Sequence, residues 1–161
     1  MNLVILNRQR TKKINTRLMR QMLLAVLEKL SVTEAELGIS LVNAREMARI
    51  NWDFLQHTGS TDVITFDHTE PGQPQPKNGI VLHGELFICV EDAVRQAREF
   101  GTNWQSELVR YAVHGVLHLL GYDDLKPDLR RTMKRAENRL VRGLEKSFLL
   151  AELSGGGKMV A

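Results

Sequence analysis

The chain has 161 residues and a formal net charge of +3, with 43% apolar and 25% charged residues. This length suits one domain, and the composition excludes a disordered or fibrous chain. The lone Cys89 excludes an internal disulfide and fits a reducing compartment, so we expect a cytoplasmic protein in which this thiol is a small buried side chain. No apolar run approaches the ~20 residues of a membrane span, and the apolar start over 3–6 is too short for a signal peptide.

Hydrophobic patterning predicts strands and helices in alternation along the chain. Strands are predicted where short runs of apolar and β-branched residues occur, over 3–6, 38–42, 61–66 and 85–90. Helices are predicted where apolar residues recur every three or four positions, over 16–30, 44–54, 91–100, 104–120 and 128–150. The Thr33-x-x-Glu36 spacing predicts a capped helical turn over 31–37, and three prolines predict a long loop over 67–83.

These elements predict an α/β fold of the α+β kind, in which about five helices cover a small four-stranded mixed sheet. A single domain is expected over residues 1–152, followed by a flexible C-terminal tail over 153–161. In the helix over 91–100 an apolar stripe is expected to face the core, formed by Ala93, Val94, Ala97 and Phe100.

Positive charge is concentrated in two segments. Residues 8–20 carry six basic residues and no acid, residues 126–146 carry eight against three acids, and residues 31–100 carry eleven acids against five basic residues. Such segregation is typical of proteins that bind a polyanion, because lysine and arginine release counterions from phosphates, although two solvated helix faces give the same pattern. The candidate side chains for contact with a nucleic acid are Arg8, Arg10, Lys12, Lys13 and Arg110.

The most informative stretch is His114-Gly-Val-Leu-His118-Leu-Leu-Gly121-Tyr-Asp-Asp124. Two histidines four residues apart share one face of a helix, so both imidazoles can reach one ion. Gly121 lets the backbone reverse, and the carboxylate of Asp124 can return to the same point. A zinc site with three protein ligands keeps a position for water, whose pKa falls toward ~7. The adjacent Asp123 is an alternative third ligand.

The residues around this motif limit its chemistry. Zinc peptidases with the same ligand spacing use a glutamate directly after the first histidine as general base, and this chain has Gly115 there, which disfavours peptidase activity. Glu107 and Tyr111 lie on the helical face of His114 and could orient a ligand or water, and Glu107 is also a candidate catalytic residue. We expect Trp104 to pack at the start of its helix.

The pattern His-Gly-x-Leu-His-Leu-x-Gly-Tyr-Asp over 114–123 resembles the signature of the YbeY proteins, metal-dependent endoribonucleases of rRNA maturation and ribosome quality control. Asn51 with the Thr-Asp-Val-Ile-Thr-Phe run over 61–66 and the Gly-Glu-Leu run from Gly84 are similar to two further family segments, and Met133 and Glu137 fall on the family's last-helix pattern. The resemblance covers residues 3–145. It implies a zinc-dependent, single-strand-specific endoribonuclease that acts on rRNA and ribosomal particles in 16S rRNA 3′-end maturation. The oligomeric state stays open, with a monomer as the default.

The sequence departs from the family pattern at two positions. The family's third metal ligand is a histidine, whereas this chain has Asp124; a carboxylate favours harder ions, so Mn²⁺, Mg²⁺ and Ni²⁺ stay open beside Zn²⁺. Leu55 stands where the family carries an arginine implicated in activity, which could pair with a phosphate or stabilise an anionic transition state. His57 could replace that arginine when protonated, or be an ordinary loop residue like His68 and His83.

Three functions remain open at this point. The first is a metal-dependent phosphodiesterase acting on RNA. The second is an RNA- or ribosome-binding protein with a structural metal, whose catalysis was lost with the change at Leu55. The third, hydrolysis of a small molecule, leaves the basic segments unexplained.

Overall fold

The structure, a computed structural model, describes residues 1–72 and 76–155. Within these ranges it has four strands, β1 (Asn2–Asn7), β2 (Val32–Val42), β3 (Val63–Asp67) and β4 (Ile80–Cys89). It has five α-helices there, α1 (Thr16–Lys29), α2 (Ala44–Ile50), α3 (Val90–Phe100), α4 (Trp104–Leu119) and α5 (Pro127–Ser147). A π-helical turn over Asn51–Leu55 continues α2, and a 3-10 turn over Leu150–Ser154 follows α5.

The strands form one mixed sheet in the order β1-β2-β4-β3, in which β3 alone runs antiparallel to its neighbour. Apolar residues on one face of the sheet join those of α1, α4 and α5 in the main core, which includes Leu23, Leu37, Leu86, Val113 and Leu140. On the other face α2 covers part of the sheet, where Val42, Met47, Ile64 and Cys89 form a smaller cluster. The predicted fold class and single domain are therefore confirmed.

Two glycines set how closely α4 lies on the sheet. A Cβ at Gly115 of α4 would lie 2.8 Å from Cδ2 of Leu86 on β4, and a Cβ at Gly84 of β4 would lie 2.9 Å from Cδ2 of Leu119. Both distances are shorter than a carbon–carbon contact allows. A side chain at Gly115 would therefore collide with Leu86 unless α4 moved away from the sheet. Packing thus disfavours a glutamate at the position of the peptidase base.

Several predicted boundaries are wrong. Residues 32–37 are the first part of β2 and not a helical turn, because Val32, Ala35 and Leu37 are buried and pair with β4. Strand β4 begins at Ile80, so the loop after β3 is shorter than predicted and His83 lies in a strand; residues 73–75 of that loop lie outside the described residues.

The two remaining differences concern the ends of helices. The last helix stops at Ser147, and Leu153 of the 3-10 turn is fully buried, so the domain extends past residue 152; residues 156–161 of the predicted tail are outside the described ranges. In α3, Ala93 and Ala97 are buried as expected, but Phe100 is 70% exposed. Among the described helices none combines the length and hydropathy of a membrane span.

Candidate metal centre

Three side chains converge where α4 ends. His114 and His118 occupy successive turns of α4, and their ring nitrogens Nε2 lie 3.1 Å apart. Oδ2 of Asp124 lies 3.9 Å from Nε2 of His114 and 3.6 Å from Nε2 of His118. The three side chains are each partly exposed, between 28% and 43%, so an ion or a substrate can reach them from solvent.

The donor set and its spacing fit a divalent metal ion. Three atoms separated by 3.1, 3.6 and 3.9 Å lie on a circle of radius about 2.1 Å, which matches the Zn–N and Zn–O bond lengths of ~2.0–2.2 Å. Two imidazoles and a carboxylate are also a ligand set that zinc accepts, and three protein ligands are typical of catalytic rather than structural zinc sites. His114, His118 and Asp124 could therefore hold one ion.

The chain reversal after α4 decides which aspartate faces the histidines. Gly121 adopts a left-handed φ of 98°, and the amide of Tyr122 donates to the carbonyl of Leu117, which closes a Schellman-type helix end. The carboxylate of Asp123 then accepts from the amide of Leu125 at 3.0 Å, so it caps its own turn. Asp124 is the residue that the structure brings to the histidine pair.

A buried carboxylate orients His114. Oε1 of Glu137 lies 2.8 Å from Nδ1 of His114, while Oε2 accepts from Arg110 at 2.6 Å and from Lys134 at 2.9 Å. Burial by itself raises the pKa of the Glu137 carboxyl, but the hydrogen bonds from His114, Lys134 and Arg110 outweigh it and lower that pKa to about 2. The ionised carboxylate fixes the His114 ring with Nε2 toward Asp124, an arrangement that is usual behind metal-ligating histidines.

Sequence reasoning noted Glu137 for its place in the last-helix pattern and assigned it no role at the site. A signal was present, because Glu137 lies within the buried stripe of α5, between Met133 and Leu140. A carboxylate in an apolar stripe requires a partner.

Two cavities meet at His114 and Asp124, and His118 lines the smaller of the two. The larger, of about 710 Å³, is lined by residues of α3, α4 and α5, and the smaller, of about 440 Å³, by the π-helical turn and β3. Asp62, His114 and Asp124 line both cavities, so the two adjoin at the candidate metal centre, and we call them together the groove. The carboxylate of Asp62, which sequence reasoning did not single out, accepts from the amide of Val63 at 2.8 Å.

The smaller cavity contains the position where the sequence departs from the family pattern. Leu55 and His57 both line it, together with the buried Asn51, whose amide donates to the carbonyl of Gly59 at 3.0 Å. Asn51 thereby holds the loop that leads from the π-helical turn to β3. None of the described residues that line this cavity is a lysine or arginine.

Four basic residues line the larger cavity, together with four acidic ones, Asp62, Glu107, Asp124 and Glu137. Arg130, Arg131 and Lys134 of α5 line it, as does Arg110 of α4, whose guanidinium is held by Glu137 and Asn138. Arg110 was predicted to contact RNA; the three α5 residues were not singled out, although they belong to the basic segment over 126–146.

The other predicted RNA-binding residues lie outside this groove. Arg8 forms an ion pair with Glu46 at 2.8 Å and lines a separate cavity with residues of α2. The ammonium of Lys12 lies 5.9 Å from the centre of the Trp104 ring, which itself packs against the core as predicted. Arg10 and Lys13 are exposed and line neither cavity of the groove.

The two candidate orienting residues have other partners. Glu107 lines the larger cavity, but its Oε1 accepts from the hydroxyl of Thr102 at 2.8 Å. Tyr111 is buried, and its hydroxyl donates to the carbonyl of Asp92 at 3.3 Å, while burial raises the pKa of the phenol. Neither is bonded to a predicted metal ligand. His68 is likewise remote, with Nε2 2.9 Å from Oε2 of Glu85.

The fold and the site define a small α/β protein with a candidate two-histidine, one-aspartate metal centre at the end of a buried helix. A family model described as Endoribonuclease YbeY matches residues 4–145. The chain belongs to this family.

Individual relatives support the same assignment. The chain is 37% identical over 116 residues to an Endoribonuclease YbeY of Thermobifida fusca, covering 71% of this chain and 75% of the relative. It is 40% identical over 98 residues to that of Chlorobium phaeovibrioides, covering 61% of each, so it spans less than two thirds of this relative's length.

A solved structure has the same fold. The solution structure of TM1509 from Thermotoga maritima superposes with a TM-score of 0.62 at 23% identity and covers 99% of both chains.

Proposed function

We propose that the chain is a metal-dependent endoribonuclease that cleaves single-stranded RNA in the cytoplasm. The observation that carries the proposal is the convergence of His114, His118 and Asp124 beside a cavity that four basic side chains help to line. Zn²⁺ is the ion that best suits the donor set, with Mn²⁺, Mg²⁺ and Ni²⁺ as alternatives. Such an ion supplies Lewis-acid chemistry, since it lowers the pKa of water and polarises a phosphodiester.

The protein groups have separate tasks in this reaction. Glu137 holds the His114 ring in one orientation, and the basic residues of the larger cavity neutralise phosphates on one side of the scissile bond. On the other side, His57 is the one described lining residue besides the ligand histidines that can carry positive charge. The relatives' name supports RNA as the substrate, and resemblance supports 16S rRNA 3′-end maturation and ribosome quality control, with rRNA and ribosomal particles as partners of a monomeric protein.

A cleavage assay with two histidine variants tests this function. Metal-loaded protein is incubated with an end-labelled single-stranded RNA, and the initial rate is compared with those of His114→Ala and of His83→Ala, a strand histidine that lines neither cavity of the groove. We expect His114→Ala to lose at least about 100-fold in rate and His83→Ala to cleave as the wild type. Equal cleavage by wild type and His114→Ala would disprove the catalytic assignment.

One observation favours a second function. The described lining residues of the smaller cavity include no lysine or arginine. Leu55 stands where the family has an arginine, so no cation at this position can contact the transition state. A binding protein with a structural metal would keep its affinity for RNA and cleave no RNA with any of the four ions. Cleavage by the wild type with any of them excludes this alternative.

A further inference from the structure

Phe100 lies in the groove although its position in the helix predicts burial. It is the last residue of α3, and Gly101 follows it with a left-handed φ of 67° that ends the helix. The ring is 70% exposed, lines the larger cavity with His114 and Asp124, and makes no ring contact within the described ranges. A single exposed phenyl is unremarkable on a convex surface, but here it borders a concave site.

Arg131 is the basic residue of the same cavity whose side chain has no partner among the described residues. Arg110 and Lys134 are bonded to Glu137, and Nε of Arg130 donates to the backbone carbonyl of Asp124 at 3.1 Å. Arg131 is exposed and forms no hydrogen bond or ion pair in the part of the chain that the structure describes. An aromatic face and an unpaired guanidinium thus border one cavity beside the candidate metal centre.

We propose that Phe100 and Arg131 form a nucleotide subsite, in which an unpaired base stacks on Phe100 and a neighbouring phosphate pairs with Arg131. This inference rests on the proposed action on RNA. Stacking on an aromatic ring requires a base that is free of its complement, and a guanidinium matches the oxygens of a phosphate. The subsite therefore selects single-stranded substrate.

The shape of the groove fits a chain and not a single nucleotide. The larger cavity adjoins the smaller one at His114 and Asp124, so a strand that runs from Phe100 through both crosses the candidate metal centre. Because the described lining of the smaller cavity lacks lysine and arginine, the permanent positive charges that hold the strand lie in the larger cavity. The base on Phe100 then fixes which phosphate lies at the three ligands.

The test measures binding, which is independent of cleavage. The dissociation constant of a fluorescein-labelled single-stranded RNA is obtained by fluorescence anisotropy on the metal-loaded full chain, over a series of salt concentrations. Phe100→Leu keeps the side chain apolar but removes the ring, Phe100→Trp restores a stacking face, and Arg131→Gln removes the charge. The controls are Leu149→Ala, which changes another exposed apolar residue, and Arg135→Gln, which changes an exposed arginine of α5 that lines neither cavity.

We expect Phe100→Leu to weaken binding about 10-fold at every salt concentration and Phe100→Trp to restore it. Arg131→Gln should lower the slope of log K against log salt by about 0.7, the value for one phosphate contact on a single strand. An abasic nucleotide at the position that stacks on Phe100 should weaken binding to the wild type. The affinity of Phe100→Leu should be the same for this RNA as for the intact RNA.

The outcomes separate this inference from the proposed function. If wild type binds and cleaves RNA while Phe100→Leu and Arg131→Gln match their controls, the subsite is overturned and the function stands. If binding depends on both residues but no RNA is cleaved, the subsite stands and the endoribonuclease assignment is overturned. A metal-loaded wild type that neither binds nor cleaves single-stranded RNA overturns both.

Discussion

Glu137 connects the candidate metal centre to basic side chains of the larger cavity. One carboxylate oxygen faces His114, and the other binds Arg110 and Lys134. The same residue therefore orients a ligand and positions two cations, and it does so at 4% side-chain exposure, where its hydrogen bonds are shielded from solvent.

Replacing Glu137 by glutamine should weaken metal binding about 10- to 100-fold, because the ring of His114 loses an ionised acceptor. A competition titration against a chromophoric chelator measures the affinity. Glu145→Gln, on the exposed face of the same helix, should bind metal as the wild type does. Equal affinity in Glu137→Gln and wild type would show that Glu137 does not act on His114.

Leu55 gives the smaller cavity an apolar side chain where a cation would face the substrate. Leu55→Arg should raise the affinity for single-stranded RNA and steepen its salt dependence by about 0.7 in log K against log salt, since one more phosphate contact is added. Anisotropy titrations at several salt concentrations measure both quantities. An unchanged salt dependence would place the RNA away from this cavity.

Cys89 is fully buried on the α2 side of the sheet, and burial raises the pKa of its thiol above the ordinary range. Alkylating agents react with the thiolate and not with the thiol, so the raised pKa and the burial both slow the alkylation of Cys89. At pH 8 we expect iodoacetamide to label native protein at least about 100-fold more slowly than protein in concentrated urea, as followed by mass spectrometry. Comparable rates would mean that the thiol is accessible.

At the scale of elements, the close approach of α4 to β4 places the metal ligands. Gly115 lies one residue after His114, and a Cβ there would collide with Leu86, so any side chain at this position would push α4 and His114 away from the sheet. The position of the metal centre is in this sense a result of core packing.

Gly115→Ala should lower the free energy of unfolding by about 1–3 kcal/mol through overpacking and should weaken metal binding as well. Gly143→Ala is a matched control, because its Cβ would meet only the flexible ammonium of Lys29 at 3.1 Å. That change should leave stability equal or raise it by up to ~1 kcal/mol, since alanine favours a helix interior. Urea denaturation distinguishes the two, and equal stabilities would contradict the packing account.

Elements with strong periodicity could be predicted from the sequence, and the exceptions have physical causes. Helix α1 and the strand from Gly38 were predicted because their apolar spacing is regular. Residues 32–37 were assigned to a capped turn because the Thr33-x-x-Glu36 spacing is typical of a helix start. Their place in a strand becomes evident only when Ala35 and Leu37 pair with β4. Phe100 was expected in the core because helical spacing cannot indicate where the covering elements end.

At the scale of the whole molecule, the candidate metal ligands were predictable because they are close in sequence. His114, His118 and Asp124 fall within eleven residues, so local geometry brings them together. Glu137, Leu55 and the basic side chains of α5 reach the same groove from distant segments, and that requires the tertiary arrangement. The basic segment over 8–20 has a charge pattern like that of α5, which predicted the same role for both. The fold nevertheless places its residues outside the groove.

The central claim is that His114, His118 and Asp124 hold one metal ion. Elemental analysis of protein that has been loaded with Zn²⁺ and freed of excess ion tests it, with Asp124→Ala beside Asp123→Ala as its neighbour control. We predict about one ion per chain in the wild type and in Asp123→Ala, and loss of the ion in Asp124→Ala. A wild type without bound metal, or loss in Asp123→Ala and retention in Asp124→Ala, would contradict this account.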